Sequence, residues 1–314
     1  MTAILEVDNL VKKYGDFTAV KGISFNIIEG EIFSLLGPNG AGKTTTISVL
    51  STLYAPTSGD ARIGGYSVSK EPLAVRQLIG VVPQDLAIYD DLTARENLSF
   101  WGQMYGLGGK ALKTRIGEVL EQIGLTDKAN ARVRTYSGGM KRRVNIGVGL
   151  LHKPRLLFMD EPTVGIDPQS RRAILDSVKD LNRQGMTVLY TTHYMEEAQE
   201  LSNRVGIIDH GELIAIGTQA ELTRQVGEND ELILHLGEGE NTAALVAALH
   251  SVPTVLSVDA SDHTVTVIAP EAEDILAPVI TRANEIGVKI HSVDIQEPNL
   301  EAVFLSLTGR ALRD

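Results

Sequence analysis

The 314-residue sequence contains no cysteine and one tryptophan, and aromatic residues make up only 5% of it. Without thiols, disulfides and thiolate metal sites are excluded, which suits a reducing compartment. No run approaches the roughly 18 consecutive apolar residues that a membrane-spanning helix requires, so work at a membrane must pass through a partner. The opening Met1-Thr2-Ala3-Ile4-Leu5-Glu6-Val7-Asp8 lacks the basic-then-apolar order of a secretion leader, and a cytosolic site of action is expected. Basic charge is scarce as well. The net charge is -11, and residues 223–314 hold 15 acids against 5 basic side chains, which leaves about -1 for residues 1–222. Nucleic-acid backbones are held by clustered Lys and Arg, so the charge argues against nucleic acid as a partner, and the acidic segment reads as a solvated domain surface.

What is present is an α/β pattern. The hydrophobic fraction of 43% and charged fraction of 22% are those of a globular protein, and the length suggests two domains. Three short, continuously apolar runs, Glu31–Leu36, Arg155–Met159 and Thr187–Thr191, read as strands buried on both faces of a parallel sheet. Leu5, Val7, Val20, Ile23 and Phe25, set among turn residues, suit an antiparallel edge sheet. From about 92 to 147 the pattern becomes helical: Leu98, Trp101, Met104 and Tyr105, then Leu112, Ile116, Val119, Leu120 and Ile123 recur at spacings of three and four. A helical subdomain inserted in the α/β core is expected there. Beyond Leu222 the order is strand 232–236, helix 243–249, strands 255–258 and 264–268, helix 272–286 and strand 288–293, with a last helix at 300–307. That βαββαβ order predicts a small α+β ferredoxin-like domain over residues 223–314.

The chemistry begins at Gly37-Pro38-Asn39-Gly40-Ala41-Gly42-Lys43-Thr44, a complete phosphate-loop pattern between a buried strand and a helix starting near Lys43. Glycines let backbone N–H groups converge on phosphate oxygens, and the helix N-terminus adds the positive end of its dipole. Lys43 supplies charge to the β- and γ-phosphates, Thr44 offers a hydroxyl to Mg²⁺, and Thr45 extends the nucleotide contacts. In Leu156–Pro162 a buried strand delivers Asp160 to its carboxyl end, where it can hold Mg²⁺, and Glu161 follows as a candidate general base. Ser137-Gly138-Gly139 lies 23 residues before Asp160 and precedes a helix expected over 140–151.

Taken in order, the phosphate loop, Gln84 after Val81-Val82-Pro83, Ser137-Gly138-Gly139, Asp160-Glu161, Gly165-Ile166-Asp167 and His193 resemble the nucleotide-binding subunits of ATP-binding-cassette (ABC) transporters, over about residues 1–222. The resemblance implies a P-loop NTPase fold of ABC type that binds and hydrolyses ATP with Mg²⁺. Tyr14 stands where the family places an aromatic that stacks on adenine. Gln84 corresponds to the glutamine that touches Mg²⁺ or the attacking water and senses the membrane partner, and His193 to a switch histidine at the γ-phosphate. Asp167 matches the residue that links two nucleotide sites across a dimer. Ser137, Gly138 and Gly139 resemble the signature that caps the γ-phosphate of the opposite subunit, with Tyr136 and Met140 in place of the family's usual Leu and Gln. Two cassettes meeting head to tail, a homodimer being the simplest form, are therefore implied, with a separate permease subunit holding them at the inner face of the membrane.

The closing run Glu297–Gly309 and the segment Asp91–Leu98 look like those of bacterial drug- and antibiotic-exporting cassette ATPases. In such exporters the domain matching 223–314 helps the cassettes associate. Leu86, Ile88, Tyr89 and Trp101 are candidate docking residues for the membrane subunit. Two other readings stay open at this point. One is a cassette ATPase acting on ribosomes or DNA, against which stand the single phosphate loop and the lack of long heptad runs. The other is a non-catalytic regulator, against which stand Asp160, Glu161 and His193.

Overall fold

The computed structural model describes residues 2–224, 229–237, 239–296 and 299–309. The chain divides into two compact units, the first ending at Thr218 and the second beginning at Gln219. In chain order the first unit runs β1 (Ala3–Tyr14), β2 (Phe17–Ile28), β3 (Ile32–Leu36), α1 (Lys43–Leu50), β4 (Ser58–Ile63), β5 (Tyr66–Ser67), α2 (Pro72–Leu78), β6 (Ile79–Val82), α3 (Ala94–Met104), α4 (Gly109–Gln122), α5 (Gly138–Leu150), β7 (Leu156–Asp160), α6 (Pro168–Arg183), β8 (Thr187–Thr192), α7 (Met195–Leu201), β9 (Arg204–Asp209) and β10 (Glu212–Gly217). Helices α3 and α4 and most of α5, which runs three residues past it, occupy the segment expected to be a helical subdomain.

A six-stranded sheet of order β10-β9-β3-β8-β7-β6 forms the centre, parallel except for the β9–β10 hairpin at its edge. The continuous apolar runs have a direct physical reason. Along β7, Leu156 and Phe158 join one hydrophobic layer while Leu157 and Met159 join the other. On β8, Leu189 faces the first layer and Val188 and Tyr190 the second. A strand covered on both sides needs apolar groups at every position. The first layer is closed by the antiparallel sheet β2-β1-β4-β5, through Leu5, Val7, Val20 and Ile23, and the second by the helices, through Leu98, Leu112, Ile116 and Val144.

Helix α5 begins two residues earlier than the sequence suggests, because Ser137 caps it: its hydroxyl accepts from the Met140 N–H at 3.3 Å. A glycine pair is a poor helix former, but Gly139 is required for packing. A Cβ there would lie 2.3 Å from the Ser170 Cβ.

The second unit contains α8 (Gln219–Arg224), β11 (Asp230–Leu236), α9 (Thr242–Leu249), β12 (Ser257–Ser261), β13 (Thr264–Ala269), α10 (Ala272–Glu285), β14 (Ile290–Gln296) and α11 (Leu300–Thr308). Its antiparallel sheet has the order β12-β13-β11-β14, the ferredoxin-like arrangement, with Leu232, Leu234, Val265 and Val267 turned onto Leu245, Leu249, Ile275 and Val279 of the two helices. Two strands start about two residues later than the sequence suggests. The Val288 N–H closes the end of α10 on the Ala283 carbonyl at 3.0 Å, and the Val255 N–H closes a turn on Val252, so neither enters the ladder. Glu297 and Pro298 of the closing run lie outside the described residues. Among the described residues no helix is long and apolar enough to cross a membrane.

Candidate nucleotide-hydrolysis site

The carboxyl ends of β3, β7 and β8 converge on one place. After β3 the chain turns through Gly37–Gly42 into α1, whose N-cap is Gly42 at φ 108°. Glycine is demanded here by space as well as by dihedral. A Cβ on Gly37 would lie 2.1 Å from the Ile208 carbonyl oxygen, and one on Gly42 2.6 Å from that of Ala19. The Gly37 N–H donates to the Thr192 carbonyl at 3.3 Å, and the Gly211 N–H to the Ala41 carbonyl at 2.9 Å, which ties the loop to β8 and the β9–β10 hairpin.

Lys43 is buried, and its Nζ donates to the carbonyls of Gly37 (2.6 Å) and Pro38 (2.9 Å) and lies 3.0 Å from Glu161 Oε1. Glu161 is the meeting point of the site. Its Oε2 accepts from Gln84 Nε2 at 3.4 Å, and His193 Nδ1 lies 3.3 Å from its Oε1. Its backbone is held at φ 42°, a left-handed conformation strained for a residue with a side chain. The Glu161 N–H is fixed there by the Thr191 carbonyl (3.1 Å) and the Thr191 hydroxyl (3.0 Å). The same hydroxyl donates to Asp160 Oδ1 at 2.6 Å. Burial pushes the Asp160 carboxyl above its ordinary range; hydrogen bonding by Thr191 and Thr44 opposes this, the Glu161 charge adds to it, and Lys43 opposes it.

A cleft of about 290 Å³ opens over these groups, lined by Phe17, Ala19, Asn39, Gly40, Gly42, Lys43, Thr44, Thr45, Gln84 and Glu161. Glycine N–H groups, a buried ammonium, the exposed Thr44 and the half-buried Thr45 at a helix N-terminus make it suited to a polyphosphate. The oxygen donors near it, the Thr44 hydroxyl, the Asp160 carboxylate and the Gln84 amide, are those of a hard divalent cation. Among the described residues no cluster of three or more His, Asp or Glu gathers to hold a metal alone. A donor set this sparse matches Mg²⁺ held jointly with nucleotide phosphates, and a cation beside Asp160 would offset the desolvation of that carboxylate.

Not every residue singled out from the sequence lines this cleft. Tyr14 stands edge-on to Tyr54 at 6.0 Å between ring centroids, with Lys12 Nζ 5.1 Å from its ring. The aromatic that lines the cleft is Phe17, 65% exposed, which sequence reasoning passed over and which only its place three residues after Tyr14 could have suggested. Ser137, Gly138 and Gly139 are absent from the cleft, and Ser137 and Gly138 are exposed. Thr191 was also passed over; it owes its role to β7–β8 register, in which Asp160 and Thr191 are direct partners.

The family model described as "ABC transporter" matches residues 20–164. The chain is 51% identical to the linearmycin resistance ATP-binding protein LnrL of Bacillus subtilis (strain 168), over 99% of this chain and 100% of that protein. It is 38% identical to the Nod factor export ATP-binding protein I of Ralstonia nicotianae, over 100% of this chain and 96% of that one. The dimeric post-hydrolysis structure of the ATP-binding cassette MJ0796 bound to ADP and Pi superposes with a TM-score of 0.62 at 28% identity, covering 68% of this chain and 98% of that chain. With full-length similarity at this level, and a phosphate loop and Glu161 lining one cleft, the chain belongs to the ATP-binding, ATP-hydrolysing subunits of ABC transporters.

Proposed function

We propose that this subunit powers export of an antibiotic-like small molecule through a separate permease, and that two cassettes close on two ATP molecules between them. The export reading is supported by the words resistance and export in the names of full-length relatives. The observation that carries the site assignment is the convergence of Lys43, Gln84 and His193 on Glu161, with Asp160 one residue away on the same strand end.

In this reading the Gly37–Thr45 loop and Lys43 hold the phosphates, and Thr44, Asp160 and Gln84 hold Mg²⁺, which when bound neutralises charge on the transferred phosphoryl. Lys43 exchanges its contact with Glu161 for the γ-phosphate, leaving the Glu161 carboxylate to take a proton from the attacking water. His193 orients Glu161 and approaches the γ-phosphate. Positioning and charge do the work in phosphoryl transfer, so no covalent nucleophile is required. Ser137 and Gly138, exposed at the start of α5, with the buried Gly139 behind them, present N–H groups to the γ-phosphate held by the other cassette. The pairing is supported by the dimeric state of the MJ0796 cassette.

Leu86, Tyr89 and Phe100 are exposed, with Tyr89 packed on Phe100 and Phe100 on Trp101 at 5.1 and 5.5 Å, and this surface just beyond Gln84 is the proposed seat of the permease. Through that contact the subunit works at the inner face of the membrane. Residues 223–314 are proposed to assist cassette pairing. The deciding experiment is co-expression of the chain with the membrane protein encoded beside it and assay of ATP-dependent drug movement into inverted vesicles. Uptake that is lost with Glu161→Gln supports export; a chain that never co-purifies with a membrane protein refutes it.

A further inference from the structure

Strand β8 carries polar side chains on both of its faces. Thr191 turns to Asp160, while Tyr190 and Thr192 turn the opposite way and donate their hydroxyls to Oε2 of Glu197, each at 2.9 Å. Glu197, on α7, is 2% exposed. Its other oxygen, Oε1, accepts from the Thr163 hydroxyl at 2.6 Å and lies 3.6 Å from Arg171 Nε on α6. The Arg171 guanidinium in turn lies over the Tyr194 ring, 4.3 Å from its centroid. Burial, with the Glu197 charge beside it, pushes the Tyr190 phenol well above its ordinary range, so Tyr190 remains a donor.

A glutamate buried this deeply is costly unless every oxygen is used, and an apolar side chain would fill the same space without that cost. What an apolar side chain could not do is hold the particular groups that Glu197 holds. Thr163 lies two residues after Glu161, within the turn that the Val164 N–H closes on the Glu161 carbonyl at 3.3 Å and that begins at the left-handed backbone of Glu161. Thr192 immediately precedes His193; its hydroxyl also accepts from the Tyr194 N–H at 2.9 Å, and its carbonyl accepts from the Gly37 N–H at 3.3 Å. One carboxylate therefore ties together the turn after Glu161, the turn bearing His193 and the strand end on which the phosphate loop rests. Strained backbone at Glu161 persists only when its surroundings over-determine it, and Glu197 supplies part of that determination from behind the sheet.

We propose that Glu197 is a positioning residue for ATP hydrolysis, acting through Thr163 and Thr192 to hold Glu161 and His193 at their working separation. The proposal rests on the assignment of Glu161 and His193 made above. It asks nothing of the nucleotide contacts themselves, so its effect falls on turnover and not on ATP binding.

The test uses the full-length chain. Glu197→Gln, Glu197→Ala, Thr163→Val and Thr192→Val are compared for kcat, KM, binding of a fluorescent ATP analogue and urea midpoint, with Glu161→Gln assayed in parallel. Loss of positioning by about an ångström costs on the order of 10²-fold in rate. The expected result is a kcat lowered by about 10- to 100-fold in Glu197→Ala, with KM and analogue affinity within about twofold, and a smaller fall in Glu197→Gln, which keeps one acceptor oxygen. Thr192→Val added to Glu197→Ala should then cause little further loss, since both act through one link. A variant that only unfolds more easily, with turnover per folded molecule unchanged below its transition, would overturn the proposal. If Glu197→Ala does not fold, unchanged kcat in both threonine variants overturns it equally. Normal hydrolysis by Glu161→Gln would instead sink the site assignment itself.

Discussion

Lys43 Nζ and Glu161 Oε1 lie 3.0 Å apart with both side chains buried, so the proposed phosphate-binding cation and the proposed base form a closed pair within one chain. Breaking such a pair leaves an uncompensated charge in a low-dielectric site. Lys43→Met is predicted to destabilise the nucleotide-free chain by about 3 kcal/mol and to abolish ATP binding. Urea denaturation without nucleotide, read beside analogue binding, checks both. An unchanged urea midpoint would mean that Glu161 finds solvent when Lys43 is lost.

Glu161→Gln keeps the size and one hydrogen-bond acceptor of the side chain but removes the proposed base. Turnover should fall by about 10²- to 10⁴-fold while ATP still binds, as expected when a general base is lost. Phosphate release and nucleotide retention on the purified chain measure the two effects separately.

Gly37 and Gly40 make opposite demands on a methyl group. At Gly37 a Cβ meets the Ile208 carbonyl at 2.1 Å, whereas at Gly40, φ 81°, it meets nothing within 4 Å. Gly37→Ala must therefore move the loop off the sheet, and loss of about 1–3 kcal/mol together with ATP affinity is expected. Gly40→Ala bears only the dihedral cost of about 1 kcal/mol and should retain most of the affinity. Equal losses in the two variants would show that sheet contact is not what shapes the loop.

His152 predicts an acid limit. Burial lowers its pKa below 6.5; the hydrogen bond to the Ile79 carbonyl at 2.7 Å opposes this and the Arg115 charge adds to it. The unfolded chain then binds the proton more readily than the folded one. Stability from this group is whole above 6.5 and is lost as pH falls from 6.5 through the lowered folded value. His152→Gln, which can still donate to Ile79, should flatten the fall in urea midpoint below pH 6.5. A slope as steep as in the unmutated chain would place the acid sensitivity elsewhere.

Residues whose roles follow from backbone pattern were legible in the sequence. Gly37 to Thr44 is continuous and its glycines answer local sterics, and β7 and β8 announce themselves because both faces are buried. The ferredoxin-like order was legible from the same alternation. Thr191 and Glu197 were not, because their importance depends on which side chain lies opposite across β7–β8 and across α7, a matter of register and packing. The β9–β10 hairpin was hidden by its weak alternation, with Ile214 and Ile216 exposed where an edge strand usually carries polar groups. Phe17 was masked by Tyr14, whose position suggested the more familiar aromatic.

Exposure of Ser137 and Gly138, away from the Lys43 cleft, leads to a prediction about two chains at once. Gly138→Asp places a carboxylate at the first turn of α5, where the helix dipole favours it and where a Cβ meets only Ile166 Cδ1 at 3.6 Å. The fold should tolerate it, yet a phosphate approaching from another cassette would be repelled. Alone, Gly138→Asp and Lys43→Met should each be inactive. In a mixed dimer both lesions fall in one shared site, and the other site has an intact Lys43 facing an intact Gly138. Mixing the two inactive chains should therefore restore part of the hydrolysis, with a dependence on mixing ratio that peaks near equal amounts. A site completed within one chain would give no recovery at any ratio.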